Sequence, residues 1–262
     1  MKTYSKEHFE YLKKEKRKKT FIYITQVSII FILLICWELL GKLGIINTFL
    51  FSSPSSIIKT VKTLVISNNF FHHVLTTLYE ILISTFISFL LGFILSSIIW
   101  SNEFLRKVFD PYLTIANSLP KVALGPLIII WVGASINSII FMSLMISLFI
   151  TIINLYTFFI NTPDNFITLL KSMKATKIDI YKKVIIPANL KNIIATLKIN
   201  VSMNLIGVIM GELLVSKMGL GYLIMYGSEV FNINLVITSV FVLGIISTIL
   251  YYLIDYFEKK IN

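Results

Sequence analysis

Long apolar runs constrain this chain more than any other feature of its sequence. Six stretches of about 20 or more residues contain few charged side chains; they lie at about 21–40, 74–99, 109–132, 136–158, 190–214 and 234–256. A helix of about 20 apolar residues crosses the roughly 30 Å hydrocarbon layer of a membrane. Only 14% of the residues are charged, whereas soluble domains carry about 25%. The sequence therefore predicts an all-α polytopic membrane protein with six transmembrane helices.

Basic residues are distributed unevenly between the segments that connect these runs. Residues 1–20, 101–110, 159–191 and 257–262 contain 8, 2, 6 and 2 lysines and arginines, and the alternate segments contain only Lys42, Lys59, Lys62 and Lys217. Because insertion retains basic segments on the cytoplasmic side, we expect a multi-pass protein of the cell membrane with both termini in the cytoplasm. The net charge of +11 then indicates contact with membrane lipid, and not with nucleic acid.

The same pattern gives an expected division of the chain. The segments are a cytoplasmic basic N-terminal segment (1–20), a first transmembrane helix with an external loop (21–73), a core transmembrane domain (74–257) with a cytoplasmic loop at about 159–191, and a cytoplasmic tail (258–262). In the external loop, Ser53 precedes Pro54 and a helically spaced set of apolar residues. Serine at the N-cap and proline at the first helical position predict a short surface helix there.

The cytoplasmic loop has the features of two short helices, although it contains five lysines between Lys171 and Lys183. Thr162-Pro163 predicts a helix that runs to about Met173. Thr176, followed three residues later by Asp179, resembles a capping box and predicts a second helix. This second helix is expected to end at about Ile185, because Pro187 disfavours helix in the residue before it.

Two interpretations of this loop remain open from the residues alone. A basic juxtamembrane loop can simply fix topology and contact anionic lipid. However, Met173, Ile178, Tyr181 and Ile185 are spaced so as to offer an apolar face. An amphipathic helix pair that projects from a membrane domain suits docking into a groove on a cytoplasmic partner.

Polar residues inside the apolar runs are candidates for a translocation pathway or gate. Lys121, with Pro120 beside it and Pro126 nearby, interrupts the third run; a break of this kind is tolerated where protein or a water-filled cavity satisfies the freed backbone groups. The alternative for Lys121, and the favoured reading for Lys198, is that the ammonium group reaches the cytoplasmic interface. Glu212, near the outer end of the fifth run, fits a gate or a structural hydrogen bond equally well.

Catalytic chemistry is not indicated by this sequence. The phosphate-binding pattern G-x-x-x-x-G-K-[ST] does not occur, and three histidines with one cysteine do not suggest a metal or nucleophile site. A secondary carrier driven by an ion gradient is an alternative function, and it would require acidic residues in the membrane, for which Glu38, Glu80 and Glu212 are the candidates. A membrane-bound enzyme would require clustered catalytic groups at one interface.

Several stretches together resemble a known family. "PYLTIANSLPKVALGPLIIIWVG" (111–133), "SSPSSIIKTV" (52–61) and the region 184–224, which ends in "GLGYLI", are similar to permease subunits of ATP-binding-cassette importers of the nitrate, sulfonate and taurine type. The resemblance covers about residues 35–257. It implies a type I importer permease: a non-catalytic membrane subunit that forms the translocation path for a small solute.

The resemblance also implies partners and site residues. The expected partners are cytoplasmic ABC ATPase subunits, which would bind ATP and Mg²⁺ so that this chain holds no cofactor, a second permease copy in a homodimer, and an external substrate-binding protein. The cytoplasmic loop would be the ATPase-coupling region, with Thr168, Lys171, Ser172, Lys174, Ala175, Thr176, Asp179, Tyr181 and Pro187. The pathway or gate candidates are Pro120, Lys121, Pro126, Lys198, Glu212, Gly219 and Gly221.

Three positions depart from the family pattern. The acidic residue that usually begins the loop corresponds to Thr168, and the glycine usual at its turn corresponds to Lys174. A lysine in a left-handed turn costs roughly 1–2 kcal/mol relative to glycine. The basic residue usual in the second span corresponds to Glu80, and no role is carried over to it.

Overall fold

A computed structural model of the protein describes residues 6–67 and 69–261, and these residues are almost entirely helical. In chain order the helices are α1 (Lys6–Lys42), α2 (Thr48–Phe51), α3 (Pro54–Ile66), α4 (Phe70–Ser101), α5 (Glu103–Ser118), α6 (Gly125–Val132), α7 (Ile136–Ile160), α8 (Asp164–Ser172), α9 (Lys177–Ile180), α10 (Ile186–Ala188), α11 (Leu190–Val215), α12 (Leu220–Glu229) and α13 (Ile233–Ile261). A 3₁₀ turn (Lys121–Leu124) precedes α6, and a wide π-helical turn (Tyr181–Ile185) joins α9 to α10.

The predicted all-α membrane architecture is confirmed. Five helices within the described ranges, α1, α4, α7, α11 and α13, are long and apolar enough to cross a membrane, and α5 with α6 makes a sixth crossing if the bent pair is one span. The expected spans two, four, five and six agree with α4, α7, α11 and α13 to within a few residues. The first span is part of a longer helix, because the Lys- and Glu-rich segment before residue 21 has high helix propensity and continues α1.

The third span, expected at about 109–132, is interrupted as the sequence indicated. It begins at Glu103 and breaks after Ser118, and the two halves are bent by 79°. Leu119 adopts an extended conformation, as expected for a residue before proline. Pro126 lies in the first turn of α6, where its missing N–H removes no helical hydrogen bond. The interruption inferred at Pro120 and Pro126 is therefore confirmed, and the span begins earlier than expected.

Helices α4, α7 and α11 form the centre of the bundle, and small residues allow them to approach closely. A β-carbon on Gly92 of α4 would lie 2.6 Å from the Thr151 methyl group of α7, and one on Gly211 of α11 would lie 2.9 Å from the Cα of Ile139. Small residues at such contacts are typical of helix packing in membranes, where close van der Waals contact replaces the hydrophobic effect. Helices α12 and α13 pack together at one end of this core around Leu220, Leu223 and Leu243.

The predicted surface helix is present as α3 and starts as expected. The side chain of Ser53 accepts a hydrogen bond from the Ser56 amide, and Pro54 occupies the first helical position. Ile57 is buried in the contact that α3 makes with α13. The carboxylate of Glu38 on α1 accepts a hydrogen bond from the Ser55 amide at 3.0 Å. Helix α3 therefore connects α1 to the bundle.

Candidate functional site

The loop between α7 and α11 contains the two short helices predicted from the sequence, α8 and α9, at one end of the bundle. Lys174 has φ 57°, its amide donates to the Lys171 carbonyl at 2.9 Å, and the Ala175 amide donates to the Leu170 carbonyl at 3.0 Å. These two bonds and the left-handed residue define a Schellman motif. Lys174, which corresponds to the glycine of the family pattern, therefore adopts the left-handed conformation usual for glycine at this position.

Helix α9 begins with the predicted capping box. The Thr176 hydroxyl accepts a hydrogen bond from the Asp179 amide at 3.2 Å, while the Asp179 carboxylate accepts from the Thr176 hydroxyl at 2.6 Å and the Thr176 amide at 3.1 Å. These bonds, with the nearby Lys183 ammonium, hold the pKa of the Asp179 carboxyl below its usual value. Both ends of the tight turn between α8 and α9 are thus fixed by local hydrogen bonds.

The second loop helix was predicted to end before Pro187, and this prediction is wrong. The chain continues through the wide turn Tyr181–Ile185 and incorporates Pro187 into α10. A wide turn relieves the clash between a proline ring and the preceding turn of an α-helix. Asn189 then closes the loop, since its side-chain amide donates to the Thr162 hydroxyl at 2.7 Å and to the Ile185 carbonyl at 2.9 Å. This bond joins the two ends of the loop, and it was not predicted from the sequence.

The four apolar residues expected to share one face of the loop lie on two faces. Ile185 is fully buried, and Tyr181 packs inward against Trp100 and Phe159, with ring centroids at 5.1 and 5.9 Å. The Tyr181 hydroxyl also hydrogen-bonds to Ser97. Burial raises the pKa of Tyr181. These contacts attach the loop to α4 and α7. Ile185 is therefore not available to a partner, and its place on an exposed face is wrong. Tyr181 is only partly buried, and its role in coupling stays a prediction.

A different set of apolar side chains faces outward. Met173 is 72% exposed and Ile178 is 65% exposed, and the loop apolar surface consists of Phe166, Leu169, Met173 and Ile178. Lysines surround it, since the exposed residues of the same segment include Lys171, Lys174, Lys177, Lys182 and Lys183. Of the other predicted coupling residues, Thr168, Ser172, Thr176 and Pro187 are exposed and Ala175 is partly buried against the bundle.

The predicted pathway candidates do not form one site. Lys121 lies at the break between α5 and α6, where its ammonium donates to the Asn117 side chain at 3.0 Å and lies 5.6 Å from the Phe149 ring centroid. Lys198 is instead bound by α13, at 2.7 Å from Asp255 and 2.5 Å from Glu258. Lys198 therefore connects α11 to α13. For Pro120, Lys121 and Pro126, a role in the pathway stays a prediction.

Glu212, Gly219 and Gly221 do come together, at the end of the bundle near α12. Glu212 is buried, and its carboxylate accepts hydrogen bonds from the Thr77 hydroxyl at 2.6 Å and the Gly221 amide at 2.5 Å. A β-carbon on Gly221 would lie 2.7 Å from that of Glu212, and one on Gly219 would collide with the carboxylate. Both glycines are thus required for the close approach of this turn. Glu80, one turn after Thr77 on the same face of α4, is also buried beside this carboxylate.

A buried polar network that the sequence analysis did not identify crosses the middle of the bundle. Asn204 of α11 accepts from Ser143 at 2.6 Å and Ser147 at 2.9 Å, and donates to Ser88 at 3.0 Å. Asn200 donates to Thr151 at 2.7 Å. The recurrence of Ser or Asn four residues apart inside apolar runs could have revealed it, because such residues share one helix face. The network joins α4, α7 and α11.

Within residues 6–67 and 69–261, no group of three or more His, Cys, Asp or Glu side chains is placed to hold a metal ion. The bundle has the loop apolar surface and its surrounding lysines at one end, and the buried carboxyl groups of Glu80 and Glu212 at the other.

Comparison with protein families and known proteins gives consistent matches. The model of the family "Binding-protein-dependent transport system inner membrane component" matches residues 84–262. A Haemophilus influenzae protein named "Probable ABC transporter permease protein" is 30% identical over 228 residues, which cover 87% of this chain and 92% of that protein. The formylaminopyrimidine transport permease protein ThiX of Halalkalibacterium halodurans is 30% identical over 191 residues, 72% of this chain and 75% of its own length.

A solved structure shows the same fold. A chain of the MetNI methionine ABC transporter, in an inward-facing conformation, superimposes with a TM-score of 0.66 at 18% identity, over 72% of this chain and 94% of that chain. At this identity the match concerns the arrangement of the helices. The type I importer permease fold implied by the sequence resemblance is confirmed.

Proposed function

The chain belongs to the family of binding-protein-dependent transport system inner membrane components, and from this premise we propose how it works as the permease subunit of an ABC importer. Two copies form the translocation path in the cell membrane. Cytoplasmic ATPase subunits, which bind ATP and Mg²⁺, dock on the α8–α9 loop of each copy. An external binding protein delivers the solute at the α12 end.

The observation that carries the docking assignment is the loop apolar surface. Exposed side chains such as Met173 and Ile178 at the tip of a loop are costly in water, and they suit insertion into a groove of a partner. The surrounding lysines favour a partner surface with acidic character. The Schellman motif at Lys174 and the capping box at Thr176 hold this surface in shape before the partner binds.

Transmission of force from this loop depends on how the loop is attached. Tyr181 packs on α4 and α7, and the Asn189–Thr162 hydrogen bond joins the start of α11 to the end of α7. A displacement of α8 and α9 by ATP-driven closure of the partners would therefore move α7 and α11 together. Each state of the permease is stabilised only by its differential contacts with those partners.

The solute is a small molecule of the kind that the relatives' names describe. Proteins similar to this chain are named for formylaminopyrimidine, riboflavin, taurine and nitrate. We propose an oxyanion, a sulfonate or a vitamin precursor, selected mainly by the external binding protein. Co-purification of that binding protein, followed by a screen of its ligands, tests this proposal.

The coupling assignment is tested by Ile178→Glu in the reconstituted importer. A charge on the loop apolar surface must be desolvated on docking, so we expect ATPase binding about 10–100-fold weaker, with a matching loss of ATP-dependent uptake. Lys191→Glu is the control, because Lys191 is also exposed at this end of the bundle but lies outside the loop apolar surface.

Unchanged ATPase binding and uptake in Ile178→Glu would refute the docking surface. Uptake that proceeds in proteoliposomes without any ATPase would instead support a secondary carrier.

A further inference from the structure

Glu80 and Glu212 are two buried acidic side chains that lie close together inside the bundle. Each is only 1% exposed, and they lie on the neighbouring helices α4 and α11. Thr77, one turn before Glu80 on the same face of α4, donates to the Glu212 carboxylate at 2.6 Å, so the two carboxyl groups are neighbours. Neither forms a salt bridge within the described part of the chain, whereas the partly buried acids Glu38, Asp255 and Glu258 each pair with a lysine. Two adjacent carboxylates without a cation would repel strongly in this low-dielectric environment.

The donors around Glu212 show which carboxyl is the anion. The Thr77 hydroxyl accepts from the Leu220 amide at 2.8 Å, so its own hydrogen points to Oε1 of Glu212. Oε2 of Glu212 accepts from the Gly221 amide. Glu212 thus resembles a carboxylate in a cradle of donors, and a hydrogen bond between it and Glu80 requires a hydrogen on Glu80.

Side chains on the surrounding elements provide no positive charge to replace that hydrogen. His73, one turn before Thr77 on α4, accepts from the Gly219 amide through Nδ1 at 3.1 Å, which is the geometry of a neutral imidazole. On α12, Tyr222 stacks on His73 and Glu229 is exposed. Among the described residues, the other charged or titratable side chains at this end that are exposed are Lys42, Lys59, Lys62, His72, Tyr79, Lys217 and Tyr226. Glu38 is partly buried and is paired with Lys42. Helix α6 contains no titratable residue. The titratable residues of α7 and α13 lie toward the opposite end of the bundle; they are Tyr156, Tyr251, Tyr252, Asp255, Tyr256, Glu258, Lys259 and Lys260.

A second observation points to a neutral Glu80. Its Oε2 atom is buried and has no hydrogen-bond partner, and the same is true of the Ser84 hydroxyl one turn further along α4. An unpartnered oxygen is far less costly on a neutral carboxylic acid than on a buried carboxylate. The environment of Glu80 therefore suits the protonated form.

We propose that Glu80 and Glu212 form a buried proton-binding site that clamps the turn before α12 onto α4. Glu80 carries the proton and donates it in a hydrogen bond to the Glu212 carboxylate, which in turn holds the Thr77 hydroxyl and the Gly221 amide. A metal cation does not fit in its place, because N–H and O–H donors already surround Glu212 and would face the ion.

The site makes the stability of the α12 end depend on pH in a defined direction. An unfolded glutamic acid loses its proton near pH 4.3, whereas the folded site retains one, so the folded protein binds more protons above that pH. Stability therefore falls as pH rises, because removing the proton leaves two adjacent anions. The bonds to Thr77 and Gly221 then loosen, and with them the attachment of α12.

Infrared spectroscopy on the purified full-length protein tests the proposal without any transport assay. We expect a C=O stretching band of a protonated carboxylic acid in the wild type at neutral pH, lost in Glu80→Gln and retained in Glu229→Gln, the control on α12. Absence of this band from the wild-type protein, or its persistence in Glu80→Gln, would overturn the site. The wild-type spectrum decides the question even if a variant folds poorly.

Thermal unfolding in lipid nanodiscs provides the second measurement. Between about pH 6 and about pH 9 the melting temperature of the wild type should fall, while that of Glu80→Gln should stay level, because glutamine donates the same hydrogen bond without titrating. Replacing choline by Na⁺ should change neither curve. Parallel pH curves for the two proteins, or stabilisation of the wild type by Na⁺, would overturn proton binding.

Discussion

Lys174 occupies the position at which a helix most often ends in glycine. Its φ of 57° is costly for a residue with a side chain, yet the Schellman bonds at Lys171 and Ala175 form normally. The conformation is retained because the loop is fixed on both sides, by the capping box at Thr176 and by the contacts of Tyr181. The surrounding motifs therefore set the backbone conformation at residue 174, and lysine in place of glycine changes only the free energy of that conformation.

Lys174→Gly should therefore stabilise the loop. Relief of the left-handed strain is worth about 1 kcal/mol, so hydrogen exchange at the Ala175 and Thr176 amides should slow about fivefold in the variant. Lys171→Gly is the matched control, since residue 171 is helical and glycine there costs up to about 1 kcal/mol. Faster exchange in Lys174→Gly would contradict the strain argument.

Helix α11 is the element through which the bundle is held together. Its side chains bond to α4 and α7 through Asn200 and Asn204 and to α13 through Lys198. Hydrogen bonds between membrane helices average about 0.6 kcal/mol each and reach about 1.7. Because Asn204 makes several such bonds at once, the polar network contributes more to the stability of the bundle than any single hydrogen bond does.

We expect Asn204→Leu to lower the unfolding free energy by about 2–3 kcal/mol, since it removes the buried bonds of the Asn204 side chain to Ser88, Ser143 and Ser147. Each serine keeps another acceptor, so the loss is that of the bonds to Asn204. Chemical unfolding in detergent measures the change. Ser202→Ala is the control, because Ser202 lies two residues away, is exposed and bonds only to the Lys198 carbonyl. Equal effects of the two substitutions would show that the network does not stabilise the bundle.

The whole molecule has two chemically different ends. The α8–α9 end presents lysines around exposed apolar side chains, and the α12 end encloses the Glu80–Glu212 pair. The lysine and arginine distribution predicts that the α8–α9 end is cytoplasmic. The proposed ATPase is cytoplasmic, so it can reach the loop apolar surface only if the α8–α9 end is on the cytoplasmic side. The proposed function therefore depends on the orientation that the lysine and arginine distribution predicts.

Cysteine labelling tests the orientation. Cys36 is exposed, so the substitutions are made in a Cys36→Ser background. A membrane-impermeant maleimide added to intact spheroplasts should label Met218→Cys, at the α12 end, and leave Ile178→Cys unlabelled until the membrane is opened; both native side chains are exposed. The reverse pattern would invert the topology and remove the coupling assignment.

Features that depend on neighbouring residues in the chain were predictable. The lengths of the apolar runs predicted four of the six spans to within a few residues and the C-terminal end of the first. Thr176-Asp179 predicted the start of α9. The end of the second loop helix was misplaced, because the rule for proline assumes a regular α-helix and the chain uses a wider turn at Tyr181–Ile185. Helical spacing also could not decide whether Tyr181 faces a partner or its own bundle.

By itself the sequence determined which segments cross the membrane, where the loop helices begin and which family the chain resembles, because each follows from local hydrophobicity, capping and motif spacing. Only the tertiary structure decided that Glu80 lies beside Glu212, that Lys198 is bound by Asp255 and Glu258, and that Asn189 donates to Thr162. Such pairs lie far apart in the sequence, and their contact depends on how the helices are packed and rotated about their axes. That rotation is set by close packing at residues such as Gly92 and Gly211 and by buried hydrogen bonds, and one sequence shows the residues without showing which of them meet.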